Sequence, residues 1–239
     1  MKKIVQKFFN LFGFKLSRLS TEPTELSLKM LMQSFKIAQI DLVIDVGANA
    51  GQYAQRLRFG GYRGKIISIE PLKSAHEQLL VASRNDPNWD VLPRCALGAI
   101  NGEIEINISK NSVSSSILPM MSAHLDSAPE SIYIGKEFVP MFTLDDLLGD
   151  LIRGHKGIFL KIDTQGLEWE VLNGASQILP VIKGIQLELS FLELYEGQRL
   201  WHDFIDFLSN LSFNFWSMEP AFIDHETGRT MQVDGVFFR

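Results

Sequence analysis

The segment Asp41-Leu42-Val43-Ile44-Asp45-Val46-Gly47-Ala48-Asn49-Ala50-Gly51 constrains this chain more than any other stretch. Four apolar residues between Leu42 and Val46, broken only by Asp45, read as a short buried strand. Glycines at 47 and 51 open a turn, and Gln52-Tyr53-Ala54-Gln55-Arg56-Leu57 continues as a helix. A strand that ends in a glycine turn and feeds a helix leaves unpaired backbone N–H groups beyond the strand's carboxyl end. That geometry suits a nucleotide-type ligand.

The rest of the chain supplies an α/β frame for this turn. Lys65–Ile69 reads as a second strand, closed by Glu70-Pro71, and Lys73–Arg84 has helical spacing. Trp89–Leu92 is expected to be a third strand, Cys95–Gly98 a turn and Glu103–Ile108 a half-exposed strand. Residues 109–137 have no clear period, which makes them a candidate lid. Glu137–Phe142 reads as an edge strand despite Pro140, and Thr143 with Asp146 three positions on should cap a helix. Further strands are expected at Gly157–Ile162, Gly184–Leu189, Phe213–Met218 and Asp234–Phe238, with helices over Leu167–Leu179 and Gln198–Leu211. Strands that alternate with helices, without an internal repeat, make a doubly wound sheet with its ligand crevice at the strand carboxyl ends.

Composition excludes several classes. Of the 239 residues 46% are hydrophobic and 21% charged, enough for a sizeable core. The net charge of -5 argues against a nucleic-acid partner. Cys95 is the one cysteine, so there is no intrachain disulfide or cysteine-built metal site, and no metal ligand set is expected. No apolar run reaches the ~20 residues of a membrane-spanning helix, and the N-terminus does not read as a signal peptide. The expected location is cytoplasmic.

The chain divides at residue 38. Residues 1–38 are an N-terminal helical segment and residues 39–239 the main domain. Within 1–20, Lys2, Lys3, Lys7, Lys15 and Arg18 accompany Ile4, Val5, Phe8, Phe9, Leu11, Phe12, Phe14, Leu16 and Leu19. This basic amphipathic pattern suits peripheral contact with the inner membrane surface, or a helix that packs on the domain or mediates a homodimer. A further helix over Thr24–Ala38 is expected to cover the domain.

Two acids define the ligand. The glycines read Gly-Ala-Asn-Ala-Gly and lack the third glycine of the dinucleotide fingerprint. Asp45 would repel a pyrophosphate but hold a cationic or amino-bearing group. Glu70 is placed at the second strand's end to accept both hydroxyls of a ribose. A nucleoside joined to an amino-acid-like group fits, and S-adenosylmethionine is such a ligand.

Five stretches together resemble a known family: Asp-Val-Gly-Ala-Asn-x-Gly at 45–51, Ile-Glu-Pro at 69–71, Thr-Leu-Asp-Asp-Leu at 143–147, Leu-Lys-Ile-Asp-Thr-Gln-Gly-Leu-Glu at 160–168, and Val-Asp-Gly-Val-Phe-Phe-Arg at 233–239. They are similar to the FkbM family of S-adenosylmethionine-dependent methyltransferases. The resemblance implies a class I methyltransferase fold, a Rossmann-like three-layer sandwich with a seven-stranded, mostly parallel sheet and an antiparallel last strand. It also implies O-methylation of natural products and sugars. By position, Asp45, Gly47, Asn49 and Gly51 would line the methionine and turn, Glu70 would bind the ribose, and Ala96 would lie beside the adenine. Many relatives carry Val-Glu-Gly where this chain has Thr164-Gln165-Gly166, so one carboxylate is lost.

Methyl transfer from a sulfonium needs an aligned nucleophile and help in removing its proton. Asp163, at a strand's carboxyl end, is the first candidate to orient or deprotonate an acceptor hydroxyl. Glu188, inside Gln186-Leu187-Glu188-Leu189, must be paired, for instance with Lys161, or face the site. Glu168 is equally well explained as an acid at a helix N-terminus. Ser112, Ser114, Ser115 and Ser116 could hydrogen-bond donor or acceptor, and the histidines form no ligand spacing. The expected function is O-methylation of a hydroxyl on a sugar, glycolipid or polyketide-like molecule. The alternatives are an inactive donor-binding or scaffold protein, or a nicotinamide-dependent oxidoreductase.

Overall fold

The computed structural model describes residues 23–239, so the expectations for residues 1–20 fall outside the described part. Helix α1 (Pro23–Ile37) precedes β1 (Leu42–Val46), α2 (Gln52–Phe59), β2 (Lys65–Ile69), α3 (Lys73–Ser83) and β3 (Trp89–Val91). A small section follows, made of β4 (Ala96–Leu97), β5 (Gly102–Ser109), α4 (Ser122–Ser127) and β6 (Tyr133–Phe142). Then come α5 (Leu144–Leu148), β7 (Ile158–Ile162), α6 (Glu168–Asn173), β8 (Ile182–Ser190), α7 (Trp201–Asn210), β9 (Asn214–Ile223) and β10 (Thr230–Phe238).

Seven strands form one sheet in the order β3-β2-β1-β7-β8-β10-β9. The pairs β1–β2, β1–β7, β2–β3 and β7–β8 are parallel, and β10 enters antiparallel between β8 and β9. The order reverses between β1 and β7, which opens a crevice at their carboxyl ends. Alternation along each strand sends side chains to two buried faces. Leu42, Ile44, Leu160, Ile162, Ile185 and Leu187 pack with Leu148, Leu172 and Phe204 on one side. Val43, Phe159 and Val236 pack with Leu31, Phe35, Ala54 and Leu57 on the other. Helices α5, α6 and α7 thus cover one face and α1 and α2 the opposite one, giving three layers.

A second sheet, ordered β4-β6-β5, stands beside the first. It corrects three expectations. Ala96–Leu97 is a short strand within the expected turn, parallel to Met141–Phe142. The strand expected at Glu137 begins at Tyr133 and is central, with Pro140 opposite Glu103 and before β4 begins. The 109–137 segment is shorter as irregular chain, since it includes α4 and the start of β6.

The helix expected to reach Leu179 stops at Asn173. Asp145 ends it from outside: its carboxylate accepts the N–H groups of Gln177 and Ile178 at 2.9–3.1 Å and the Ser176 hydroxyl at 3.1 Å. Those amides are committed to a side chain 32 and 33 residues away in sequence, which no helical period can reveal. The Thr143 cap is present, its Oγ1 accepting the Asp146 N–H at 3.1 Å.

Candidate active site

The β1–α2 turn is built on positive backbone φ. Gly47, Asn49 and Gly51 have φ of 71°, 46° and 90°. A Cβ on Gly47 would lie 1.8 Å from the Asp163 carbonyl oxygen, so only glycine lets the turn pass β7's end. The Gly47 and Ala48 N–H groups each donate to the Ile69 carbonyl at 3.0 Å, and the Asn49 N–H donates to Glu70 Oε2 at 2.8 Å. The other Glu70 oxygen accepts the Leu72 N–H at 2.8 Å. Glu70 is 4% exposed, and burial pushes its pKa up to about 7 against the pull of those two N–H bonds.

A crevice open to solvent lies here. Gly47 and Asn49 form its floor, Glu70 and Leu72 one wall, Ala96 and Ile106 of the small sheet another, and Ser112, Ser115 and Ser116 lie along its rim. Asp163, Thr164 and Gln165 close the end. Apolar walls with a few placed polar groups are the chemistry of a small-molecule site.

Two residues named for this ligand do not line the cavity. Asp45 is fully buried beneath the turn. Its Oδ1 lies 3.3 Å from Lys161 Nζ, while the ammonium aims hydrogen bonds at the carbonyls of Gly47 (3.1 Å) and Val46 (3.5 Å). Burial raises the Asp45 pKa, against the Lys161 charge. Gly51 packs its α-carbon on the Trp89 ring, where a Cβ would lie 2.8 Å from the indole.

Asp45 belongs to a polar row across the sheet. In register, Ser68, Asp45, Lys161 and Gln186 lie side by side on β2, β1, β7 and β8. Trp89 Nε1 donates to Ser68 Oγ at 2.9 Å, and Tyr53 on α2 donates from its hydroxyl to Gln186 Oε1 at 2.9 Å. Lys161 sits 5.4 Å from the Tyr53 ring centroid. Burial works to lower the Lys161 pKa, but the Asp163 and Asp45 carboxylates outweigh it and hold the ammonium charged.

The expected carboxylates meet at the end of β7. Asp163 Oδ2 is 3.2 Å from Lys161 Nζ, and its Oδ1 accepts from Gln165 Nε2 at 2.8 Å. The same nitrogen donates to Glu188 Oε2 at 2.6 Å. Gln165 is therefore the partner of Glu188, while Lys161 serves Asp45 and Asp163. Asp234 lies opposite Glu188 in the β8–β10 register. Desolvation, then the Asp163 and Asp234 charges, raise the Glu188 pKa well above its ordinary value. Burial likewise lifts Asp234 to about 6.

Glu168 turns inward to hold the loop. Its carboxylate accepts the N–H groups of Thr164 (2.8 Å) and Gly166 (3.1 Å) and the Thr164 hydroxyl (3.2 Å). Burial pushes its pKa to about 7. Tyr195, fully buried, donates to Gln165 Oε1 at 2.7 Å, and Ser116 donates to the Gln165 carbonyl at 2.6 Å. Tyr53, Gln186, Tyr195 and Asp234 were not singled out from sequence. Asp234 alone had a signal, an acid inside an apolar strand. Among the described residues no cluster of His, Cys, Asp and Glu has the arrangement of a metal site.

A sheet reversing at β1 and β7, an antiparallel strand beside the last edge, and a buried acid at the end of β2 lining the crevice are the architecture of a class I S-adenosylmethionine-dependent methyltransferase. The family model described as the methyltransferase FkbM domain matches residues 45–215. This chain belongs to the FkbM methyltransferase family, and S-adenosylmethionine is its methyl donor. Gly47, Asn49, Glu70 and Ala96 line the crevice and are the residues that would hold the donor.

Solved structures with similar folds include fibrillarin from Aeropyrum pernix with natively bound S-adenosyl-L-methionine, at 11% identity and a TM-score of 0.46 over 89% of this chain and 74% of that one. Magnesium protoporphyrin IX methyltransferase from Synechocystis PCC 6803 has 9% identity and a TM-score of 0.44 over 100% and 97%. A methyltransferase from Aquifex aeolicus has 14% identity and a TM-score of 0.42 over 91% and 94%. No curated protein matches the chain.

Proposed function

We propose that this methyltransferase acts on oxygen, on a hydroxyl of a sugar, glycolipid or polyketide-like acceptor. The observation that carries the reading is the seating of Asp163, one oxygen on the Lys161 ammonium and the other on Gln165, at the end of the donor cavity. Such a carboxylate can accept a hydrogen bond from an acceptor hydroxyl and hold it in line with the methyl group. The donor brings the sulfonium leaving group, so the chain's task is to bind, to align and to receive a proton. Glu188, inclined to keep its proton, is suited to donate a hydrogen bond beside Asp163.

A panel of sugar, glycolipid and polyketide alcohols, read by S-adenosylhomocysteine release, tests the reaction. Release with one class, and its loss in Asp163→Ala while donor binding persists, is the expected result. Tight donor binding without release across the panel would favour the binding-protein alternative. We assign residues 1–20 to peripheral contact with an anionic membrane surface in the cytoplasm, supported by their charge and apolar spacing.

A further inference from the structure

We infer that Gln165 is a positioning residue whose carboxamide does the work a divalent cation would do between Asp163 and Glu188. Two carboxyl groups this close, with Asp163 or both of them ionised, need a donor between them. Both protons of Gln165 Nε2 are used, one on Asp163 Oδ1 at 2.8 Å and one on Glu188 Oε2 at 2.6 Å. The Tyr195 hydroxyl bond to Oε1 sets the amide's orientation, since the reverse would turn its oxygen on two carboxylates. Nor is the side chain free to swing away. Its backbone sits at φ 55°, tied through its carbonyl to Ser116, and Gly166 beside it is held by Glu168. Lys161 cannot replace it, because that ammonium contacts the far oxygen of Asp163 and Asp45.

Glutamine and glutamate have the same shape. Gln165→Glu therefore sets a third carboxylate against the other two, and hard oxygen donors converging on one point are what a divalent ion binds. The native chain holds the pair with hydrogen bonds and has no such need. This inference rests on the reading of Asp163 as the acceptor-orienting group, but its test measures metal binding, so failure of the reaction screen leaves it standing.

The full-length native chain and Gln165→Glu, stripped of metal, would be titrated calorimetrically with manganese(II) chloride, with S-adenosylhomocysteine binding measured alongside. The expected result is one manganese ion per chain in the variant, bound at least about tenfold more tightly than by the native chain. Adding Glu188→Gln to the variant should abolish that gain. Native protein that binds manganese as tightly as the variant, or a variant that keeps homocysteine-nucleoside binding and gains no manganese, would overturn the inference. Should Gln165→Glu lose that binding in chelator, manganese is expected to restore it, and failure to restore it also overturns the inference.

Discussion

At the scale of single residues, Glu70 makes the donor site pH-dependent. Burial pushes its carboxyl up to about 7 because it outweighs the Asn49 and Leu72 N–H bonds. Ribose hydroxyls held at Glu70 would donate to its ionised form, so donor binding is expected to strengthen as pH rises toward about 7, then level off. Calorimetry with S-adenosylhomocysteine should show this slope, and Glu70→Gln should bind more weakly with the slope flattened. Stability runs the opposite way. Glu70 and Glu168 ionise near 4.5 when unfolded and near 7 when folded, so the folded chain holds protons that the unfolded chain releases between those values. Their contribution is present below pH 4.5 and is lost as pH rises to about 7. A urea midpoint for the donor-free protein that did not fall across that window would contradict the assignment. Gly47 is a starker case. Gly47→Ala collides with the Asp163 carbonyl at φ 71°, and a loss of about 3 kcal/mol or more, with donor binding abolished, is expected in urea unfolding and calorimetry.

At the scale of elements, the polar row breaks the rule that a parallel sheet covered on both faces is apolar throughout. Ser68, Asp45, Lys161 and Gln186 are each nearly or fully buried at the strands' carboxyl ends. They support the turn and Asp163 from below. Lys161→Met removes the one cation facing two carboxylates and should cost about 3–5 kcal/mol in urea unfolding. Adding Asp45→Asn should return part of that loss, because one stranded charge goes with it. This row also explains what could and could not be read from sequence. The β1 and β2 boundaries were legible because glycines and Glu70-Pro71 punctuate apolar runs locally. Asp45 stood out as an acid in a strand, yet its role did not. The Lys161 partnership joins residues 116 apart, and only strand register brings them together. The same holds for Asp145 ending α6 and for Gln165 joining Asp163 to Glu188. Donor-site residues follow a local turn, whereas the acceptor end is assembled from β7, β8, β10 and the 191–200 connection.

At the scale of the molecule, the donor cavity and residues 1–20 are expected to act separately. Among the described residues, those that line the cavity all fall between Val46 and Leu167. Helix α1 packs on the face of the sheet that carries Phe159 and Val236, through Leu31 and Phe35, and contributes no residue to the cavity. A chain that starts at Pro23 keeps every described residue that lines the cavity. It should bind S-adenosylhomocysteine with the affinity of the full chain, within about twofold. Vesicles containing anionic phospholipid should divide the two forms, because the five cations and the nine Ile, Val, Leu and Phe side chains of residues 1–19 are absent from the shorter one. The full chain is expected to sediment with such vesicles, less so as salt rises, and the shortened chain to stay in the supernatant. Equal sedimentation of the two would remove the membrane role from residues 1–20 without touching the donor site. Unequal donor binding would show instead that the segment helps to build the cavity wall.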